Sequence, residues 1–423
     1  MKTTTLSVAA SLTVGASVAA LCTANGAHAG DFADALAASK PLIDSNLRFE
    51  EVDQTGIARK AEALTLRNRI GWQTGEFHHL SALVEIANIA VIDGQYNSTV
   101  NGKTQYPGVN DPSVTELNRA QLTWTPVKGT SVTAGRQRII LDDARFVGNA
   151  GWRQDEQTFD GVRFDTGTGH FRLTAAWLTR VNRVIGDLKD WNSNSYLLNA
   201  SYDVAPELKL TGFAYSLHFT TAAFAPTTAD VNNARASSVD ITGLRAAGTH
   251  KTASGNIGYV LQYAEEADGH GNPQNFRLHE SMVEVNGAWK MWTGRLNYES
   301  LGGNGTVGFV SPLASPHPFD GFADAFSATG GNKTFVDGLA DLNATLTFNL
   351  PVKHKTALTA VWHKFDTVRQ SRAIGTEWDA VATIALTPQL SLMLKHADFH
   401  KDSGNPTAPA SRTKSWIMLA YKL

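Results

Sequence analysis

The stretch Leu64-Thr65-Leu66-Arg67-Asn68-Arg69-Ile70-Gly71-Trp72-Gln73 decides the fold. Leu64, Leu66, Ile70 and Trp72 share one parity, while Thr65, Arg67, Arg69 and Gln73 share the other. Successive side chains of a strand point to opposite faces, so a period of two means one apolar and one polar face. The pattern recurs. Phe171, Leu173, Ala175 and Trp177 alternate with Arg172, Thr174, Ala176 and Arg180; Leu342, Ala344, Leu346 and Phe348 alternate with Asp341, Asn343, Thr345 and Thr347. Ile257, Tyr259, Leu261 and Tyr263 repeat it, and Ile417, Leu419 and Tyr421 close the chain in the same manner.

A soluble sandwich alternates too, so the connections discriminate. Tight turns fall at residues 74–76, 126–129, 167–169, 204–207, 250–255, 286–290, 351–352 and 387–389. Longer polar segments separate them, at about 53–60, 91–113, 142–155, 182–192, 221–235, 266–276, 301–332, 367–374 and 401–410. Eight short turns alternating with nine long loops imply 18 strands with both chain ends on the short-turn side. Short periplasmic turns and long outer loops are the pattern of an outer-membrane barrel. The expected fold is all-β: a single transmembrane antiparallel β-barrel of about 18 strands following a cleaved signal peptide. Trp72, Trp124, Trp177, Tyr202, Trp292 and Trp378 fall near strand ends, where interface girdles sit.

Composition agrees. The chain has 423 residues, 37 Lys+Arg against 39 Asp+Glu, and only 18% charged residues, below the roughly 25% of soluble domains. Near-neutral balance argues against a nucleic-acid partner. A mean hydropathy of −0.19 argues against a bundle of membrane helices, but alternating strands hide their apolar content from averages.

The start reads as an export signal: Met1-Lys2 is positive, Leu6 to Leu21 is apolar, and Ala27-His28-Ala29 offers a cleavage site. We expect residues 1–29 as signal peptide, 30–44 as a periplasmic N-terminal segment and 45–423 as the barrel, located in the outer membrane of a Gram-negative bacterium. The one cysteine, Cys22, lies inside the signal.

A barrel of this width leaves a water-filled lumen, and the parity opposite the lipid face lines it. In the N-terminal half that parity carries Arg48, Arg67, Arg69, Arg119, Arg163, Arg172 and Arg180 against Glu50, Glu85 and Asp165. Thirteen of the 20 arginines lie between residues 41 and 185, where 16 basic and 16 acidic residues balance, so many acids must sit in loops. Arginine stays charged and its fork matches a carboxylate, so this wall favours anions, including uronate-type acids. The alternative is that these arginines pair with inward acids and only solvate the wall. Further on, Glu284, Arg295, Asp341, Asp379 and Lys395 also fall on the inward parity. Arg136 and Arg138 share parity with Val132 and Ala134, which requires a bulge or a phase change. The loop 142–155, with Asp142, Asp143, Arg145, Arg153, Asp155 and Glu156, reads equally as an inward constriction or a solvated outer loop.

Three stretches resemble the alginate export family of outer-membrane porins. They are Leu47-Arg48-Phe49-Glu50-Glu51-Val52-Asp53-Gln54 with Leu64 to Gly71, Gly135-Arg136-Gln137-Arg138-Ile139 with Leu141 to Gly148, and Trp152-Arg153-Gln154 with Gln157 to Arg163. The resemblance implies an 18-stranded barrel whose arginine-rich lumen conducts anionic polysaccharide outward, and it points to Arg48, Arg67, Arg69, Arg136, Arg145, Arg153 and Arg163 as pore residues. Two departures stand out. The family's exporters have a long periplasmic turn near the C-terminus, whereas Thr387-Pro388-Gln389 is very short; and the chain ends in Leu423 rather than an aromatic, with Tyr421 two places earlier.

No His-Glu-x-x-His, Gly-x-Ser-x-Gly or phosphate-loop motif is present, so the expectation is a channel, not an enzyme, with no cofactor and no metal. The candidate path is Arg48, Glu50, Arg67, Arg69, Glu85, Arg119, Arg136, Arg138, Arg145, Arg153, Arg163, Asp165, Arg172 and Arg180. Expected partners are an anionic saccharide or small anionic solute and the outer-membrane lipid. The competing expectations are a non-conducting structural or adhesive barrel and an outer-membrane barrel hydrolase. Nothing in the sequence selects a solute beyond its charge, a direction of transport or an oligomeric state.

Overall fold

The computed structural model describes residues 29–222, 226–326 and 335–423. The expected signal peptide, apart from its last residue, lies outside them. A short helix, α1 (Ala29–Ala37), precedes β1 (Lys40–Gln54). The first strand therefore begins five residues before the expected boundary at 45. Then follow β2 (Ala61–Gln73), β3 (Leu80–Gln95), β4 (Val114–Val127), β5 (Thr130–Gln137), β6 (Thr158–Thr168), β7 (Phe171–Asn182) and β8 (Trp191–Ala205). β9 (Leu208–Leu217) continues past His218 as Phe219–Thr221, still paired with β8. Past the loop helix α2 (Thr228–Ala236), the rest of the wall is β10 (Val239–Thr252), β11 (Gly255–Asp268), β12 (Arg277–Trp289), β13 (Trp292–Leu301), β14 (Leu339–Leu350), β15 (Thr356–Asp366), β16 (Ala373–Ala385), β17 (Leu390–Lys401) and β18 (Arg412–Lys422).

Each strand pairs antiparallel with its neighbours, and β1 closes on β18 through Leu47 opposite Leu419 and Phe49 opposite Ile417. The result is a closed 18-stranded barrel. Closure is forced: lipid offers no hydrogen bonds, so a sheet can span a membrane only without edges. No helix among the described residues is long and apolar enough to cross, so the strands do the crossing. On β2, Ala63, Thr65, Arg67 and Arg69 are buried toward the lumen, while Ile70 and Trp72 are 62% and 52% exposed on the outside. Val84, Leu122, Trp124, Leu198, Leu261 and Ile417 continue this outer apolar surface around the wall. So extensive an apolar face is stable only against lipid.

Short and long connections alternate where the sequence places them. At the short-turn end α1 packs on the β2–β3 turn: the Gly75 amide donates to the Ala35 carbonyl at 3.0 Å and Phe32 meets Phe77 edge-on at 5.6 Å. At the long-loop end the inward side chains turn apolar. Leu178, Phe213, Leu217, Phe365 and Phe399 form, with loop residues Phe146, Val147, Phe309 and Phe326, a core inside the lumen. Phe146 lies 5.3 Å from Phe213, and Phe326 lies 4.6 Å from Phe365. The hole is therefore not an open tube: loops fold into it.

Candidate functional site

Residues 138–157, between β5 and β6, cross the lumen as a strap. Asn199 on β8 donates to Asp142 at 2.7 Å, and Arg245 on β10 pairs with Asp143 at 2.6 Å. Farther across, Arg145 reaches Glu299 on β13 at 2.6 Å and Asp320 at 3.3 Å. The chain then returns. Arg153 lies 3.7 Å from Glu50 on β1 and 2.9 Å from Asp324, and the Gln154 amide donates to Thr65 on β2 at 2.9 Å. Glu156 accepts from Asn118 on β4 at 2.7 Å and lies 3.6 Å from Arg69. Of the two readings of the 142–155 loop, the structure has the inward one, with Arg145, Asp155 and Glu156 fully buried.

A second segment, 302–326, lies on the strap. The Gly148 amide donates to the Leu313 carbonyl at 2.8 Å, and the Ser315 amide to Ala144 at 3.0 Å. His317 stacks on Trp152 at 4.1 Å. Asp324 gathers His317 and Lys414, both at 2.8 Å, with Arg153. Glu266 and Glu377 on the wall accept the backbone amides of Val310 at 2.9 Å and Ala323 at 2.7 Å.

Every arginine of the expected path pairs with a carboxylate. Arg48 bonds Asp111 at 3.1 Å, and Arg67 bonds Asp44, which Arg69 also approaches. Arg119 grips Glu85 with two bonds of 2.9 and 2.8 Å, and Arg163 bonds Asp165 at 2.7 Å. Arg138 lies past the end of β5 and turns inward to Glu156 and Glu85. Arg136 behaves differently. It stands in register with Ala120 and Asp160, on the row of exposed Leu122 and Val162, and bonds Asp160 at 2.7 Å and the Leu117 carbonyl at 2.9 Å. Arg172 sits by the short turn with Asp203 at 2.8 Å, and Arg180 near the opposite rim with Asp190 at 2.8 Å. Neither joins the strap. Arg48, Arg67, Arg69 and Arg145 are buried, whereas Arg119, Arg138 and Arg163 keep 15%, 28% and 26% of their side chains exposed. Those three lie together, Arg138 between Glu85, which Arg119 grips, and Arg163, which donates to the Arg138 carbonyl, and each leaves an edge open.

Burial tends to raise the carboxyl of Glu156, but Arg69 and the bonds from Arg138 bring it down to about 2. Its neighbour Asp155 is pushed up by burial and by the nearby Glu116. His317 is lowered to about 3 by burial and by Lys395, whose ammonium lies 2.7 Å from its Nε2.

Sequence reasoning passed over the acids facing the arginine wall: Glu266, Glu280, Glu299 and Glu377 are all buried toward the lumen. Parity against exposed Tyr263, Val283, Tyr298 and Trp378 marks them inward. For Asp111, Asp320 and Asp324, all in long loops, no periodic signal exists.

Closed wall, apolar outer face and strapped polar lumen define a porin-type barrel of the Gram-negative outer membrane. A family model described as alginate export matches residues 42–267, more than half of the chain, and the chain belongs to that family. Among solved structures, Acinetobacter baumannii OccAB4 is similar with a TM-score of 0.69 at 11% identity, over 91% of this chain and 98% of its own. Pseudomonas aeruginosa OpdO gives 0.68 at 11%, over 93% and 99%. OpdK from the same organism, solved with vanillate, gives 0.68 at 12%, over 92% and 99%. At such identities the likeness is one of fold. No curated protein matches the sequence.

Proposed function

We propose that the barrel passes small anionic solutes, uronate-type acids among them, across the outer membrane. The observation that carries this is the group Arg119 on β4, Arg138 at the start of the strap and Arg163 on β6, each partly exposed. Glu85, Glu156 and Asp165 hold their guanidiniums in place while leaving an edge of each for a passing carboxylate. Arg48, Arg69, Arg145 and Arg153 act by fixing the loops, with Glu50 as the wall anchor of Arg153, while Arg67 pairs with Asp44 on the wall itself. Vanillate in OpdK, a small carboxylate in a barrel of the same fold, supports the solute class. The strap argues for small solutes over a polymer chain, as does the short β16–β17 turn, closed by the Leu386 amide donating to Leu390 at 2.9 Å. Residues 1–29 serve as the export signal in this scheme, and no chemistry is assigned to the barrel.

The test is reversal potential in planar bilayers under a salt gradient. Wild type should prefer anions, and R119Q/R138Q/R163Q should lose most of that preference. An unchanged potential would refute the role of the three arginines, and absence of conductance would favour a structural barrel.

A further inference from the structure

On the wall opposite β2 lies a cavity of about 280 Å³ that the arginine path does not use. The inner faces of β10 and β12–β14 form its back, and Asp143 of the strap with Pro318, Phe319 and Asp320 covers it. Its volume is at the small end for organic ligands, the size of one ring, not a chain.

The chemistry of its lining is that of hydroxyl recognition. Arg295 donates to Asn343 at 3.3 Å and lies 3.6 Å from Glu284, and Asn343 donates to Asp341 at 2.8 Å. Planar amide, carboxylate and guanidinium ends thus stand side by side, presenting acceptors next to donors. A hydroxyl group, donor and acceptor at once, matches such a surface. Asn297 is buried in the same lining, yet its side chain makes no hydrogen bond among the described residues, and its Oδ1 is enclosed without a donor. A buried amide left so is costly, and a ligand hydroxyl would satisfy it. Nε of Arg295 is in the same condition.

Charge excludes the other candidates. The lining carries more carboxylates than arginines, so a second anion is disfavoured there. Those carboxylates are already engaged: Asp143 by Arg245, Glu299 and Asp320 by Arg145, Glu284 by Arg295. No three acid or histidine ligands converge on a metal position among the described residues.

We propose that this cavity is a saccharide subsite, taking one neutral polyhydroxylated ring through Asn297, Asn343, Asp341, Glu284 and Arg295. Combined with the arginine group, it selects sugar acids over acids without hydroxyls. That selection rests on the anion-passage proposal; the affinity for a neutral ring does not.

The experiment is single-channel recording of the full protein with glucose, glucuronate and cyclohexanecarboxylate as blockers. Glucose should interrupt the current in a concentration-dependent way, and N297L should weaken that block about tenfold, the scale of one buried hydrogen bond. N297D, which keeps the shape but loses the amide donor, should weaken it as well. Block by cyclohexanecarboxylate should be the same in all three proteins. Heat-resistant migration on gels verifies that each variant forms the barrel. Failure of glucose to block, or equal block in wild type and both variants, overturns the subsite even if anion selectivity holds. If Asn297-dependent glucose block persists in a channel without anion preference, the subsite stands and the anion proposal falls.

Discussion

Replacing Arg145 by methionine separates the strap from the wall. The guanidinium is fully buried between Glu299 at 2.6 Å and Asp320 at 3.3 Å, with Phe319 against its face at 4.8 Å. Methionine fills similar space but leaves two buried carboxylates without their cation. Removing one partner of a buried ion pair costs about 3–5 kcal/mol. The strand ladders do not involve this side chain, so the penalty falls on the seated strap, not on the barrel. At about 1.4 kcal/mol per factor of ten, the seated-to-unseated ratio falls by roughly two to three and a half orders of magnitude. R145M should therefore show larger, noisier single-channel currents at neutral pH, and limited proteolysis should cut within 138–157. Acid should partly restore the seat, because a protonated Asp320 no longer needs the guanidinium. Wild-type conductance and protease resistance at neutral pH would refute the claim that this pair pins the strap.

Gly135 has φ of +111°, and a Cβ there would collide with the Ala120 carbonyl; G135V should cost about 1–3 kcal/mol, read as a lower urea midpoint for loss of the heat-resistant gel band. The Glu156 carboxyl, held at about 2, lies below its unfolded value near 4.3. It contributes stability above that value and loses it as pH falls from about 4 toward 2, so an acid-induced rise in strap proteolysis over that window should be reduced in E156Q. His317, lowered to about 3, is neutral in the fold while its unfolded form takes a proton near 6.5. Stability should thus decline as pH falls from about 6.5 to 3, and H317Q should flatten the melting-temperature profile over that range.

The wall was legible because burial in a barrel repeats every second residue, and lipid on one side keeps that signal clean. Leu64 to Trp72 and Leu342 to Phe348 lie as their parity requires. Loop lengths were legible for the same reason, since each strand must span the bilayer and return. Parity left Arg136 and Arg138 open: Arg136 stays on the outward row, and Arg138 lies past the end of the strand. The filling of the lumen was not legible. Arg145 meets Glu299 across 154 positions of sequence, and neither residue carries a local mark of the other. The apolar inward residues Phe213, Phe365 and Phe399 were the missed hint: an inward phenylalanine in a wet pore needs a cover, and the loops provide it.

The division of labour between apolar and charged contacts then explains why most of the arginines are hidden. Packing of Phe146 on Phe213, or Phe326 on Phe365, holds a loop inside the barrel but tolerates sliding, because apolar attraction has little direction. Charge-assisted bonds such as Arg48 to the Trp152 carbonyl and Arg145 to Glu299 are directional and fail when displaced. They set the register of a strap that must cross an aqueous hole without a sheet to guide it. An arginine engaged this way is neutralised and adds little to the field that a solute meets. The anion selectivity we propose then rests on the few guanidiniums with an exposed edge, and counting arginines in the sequence overstates it. For that reason substitution at Arg119, which bonds only Glu85 on the wall, should change ion preference with little effect on strap stability; Arg138 and Arg163, which also bond the strap at Glu156 and at the Arg138 carbonyl, should change both, and Arg48 or Arg145 mainly the strap.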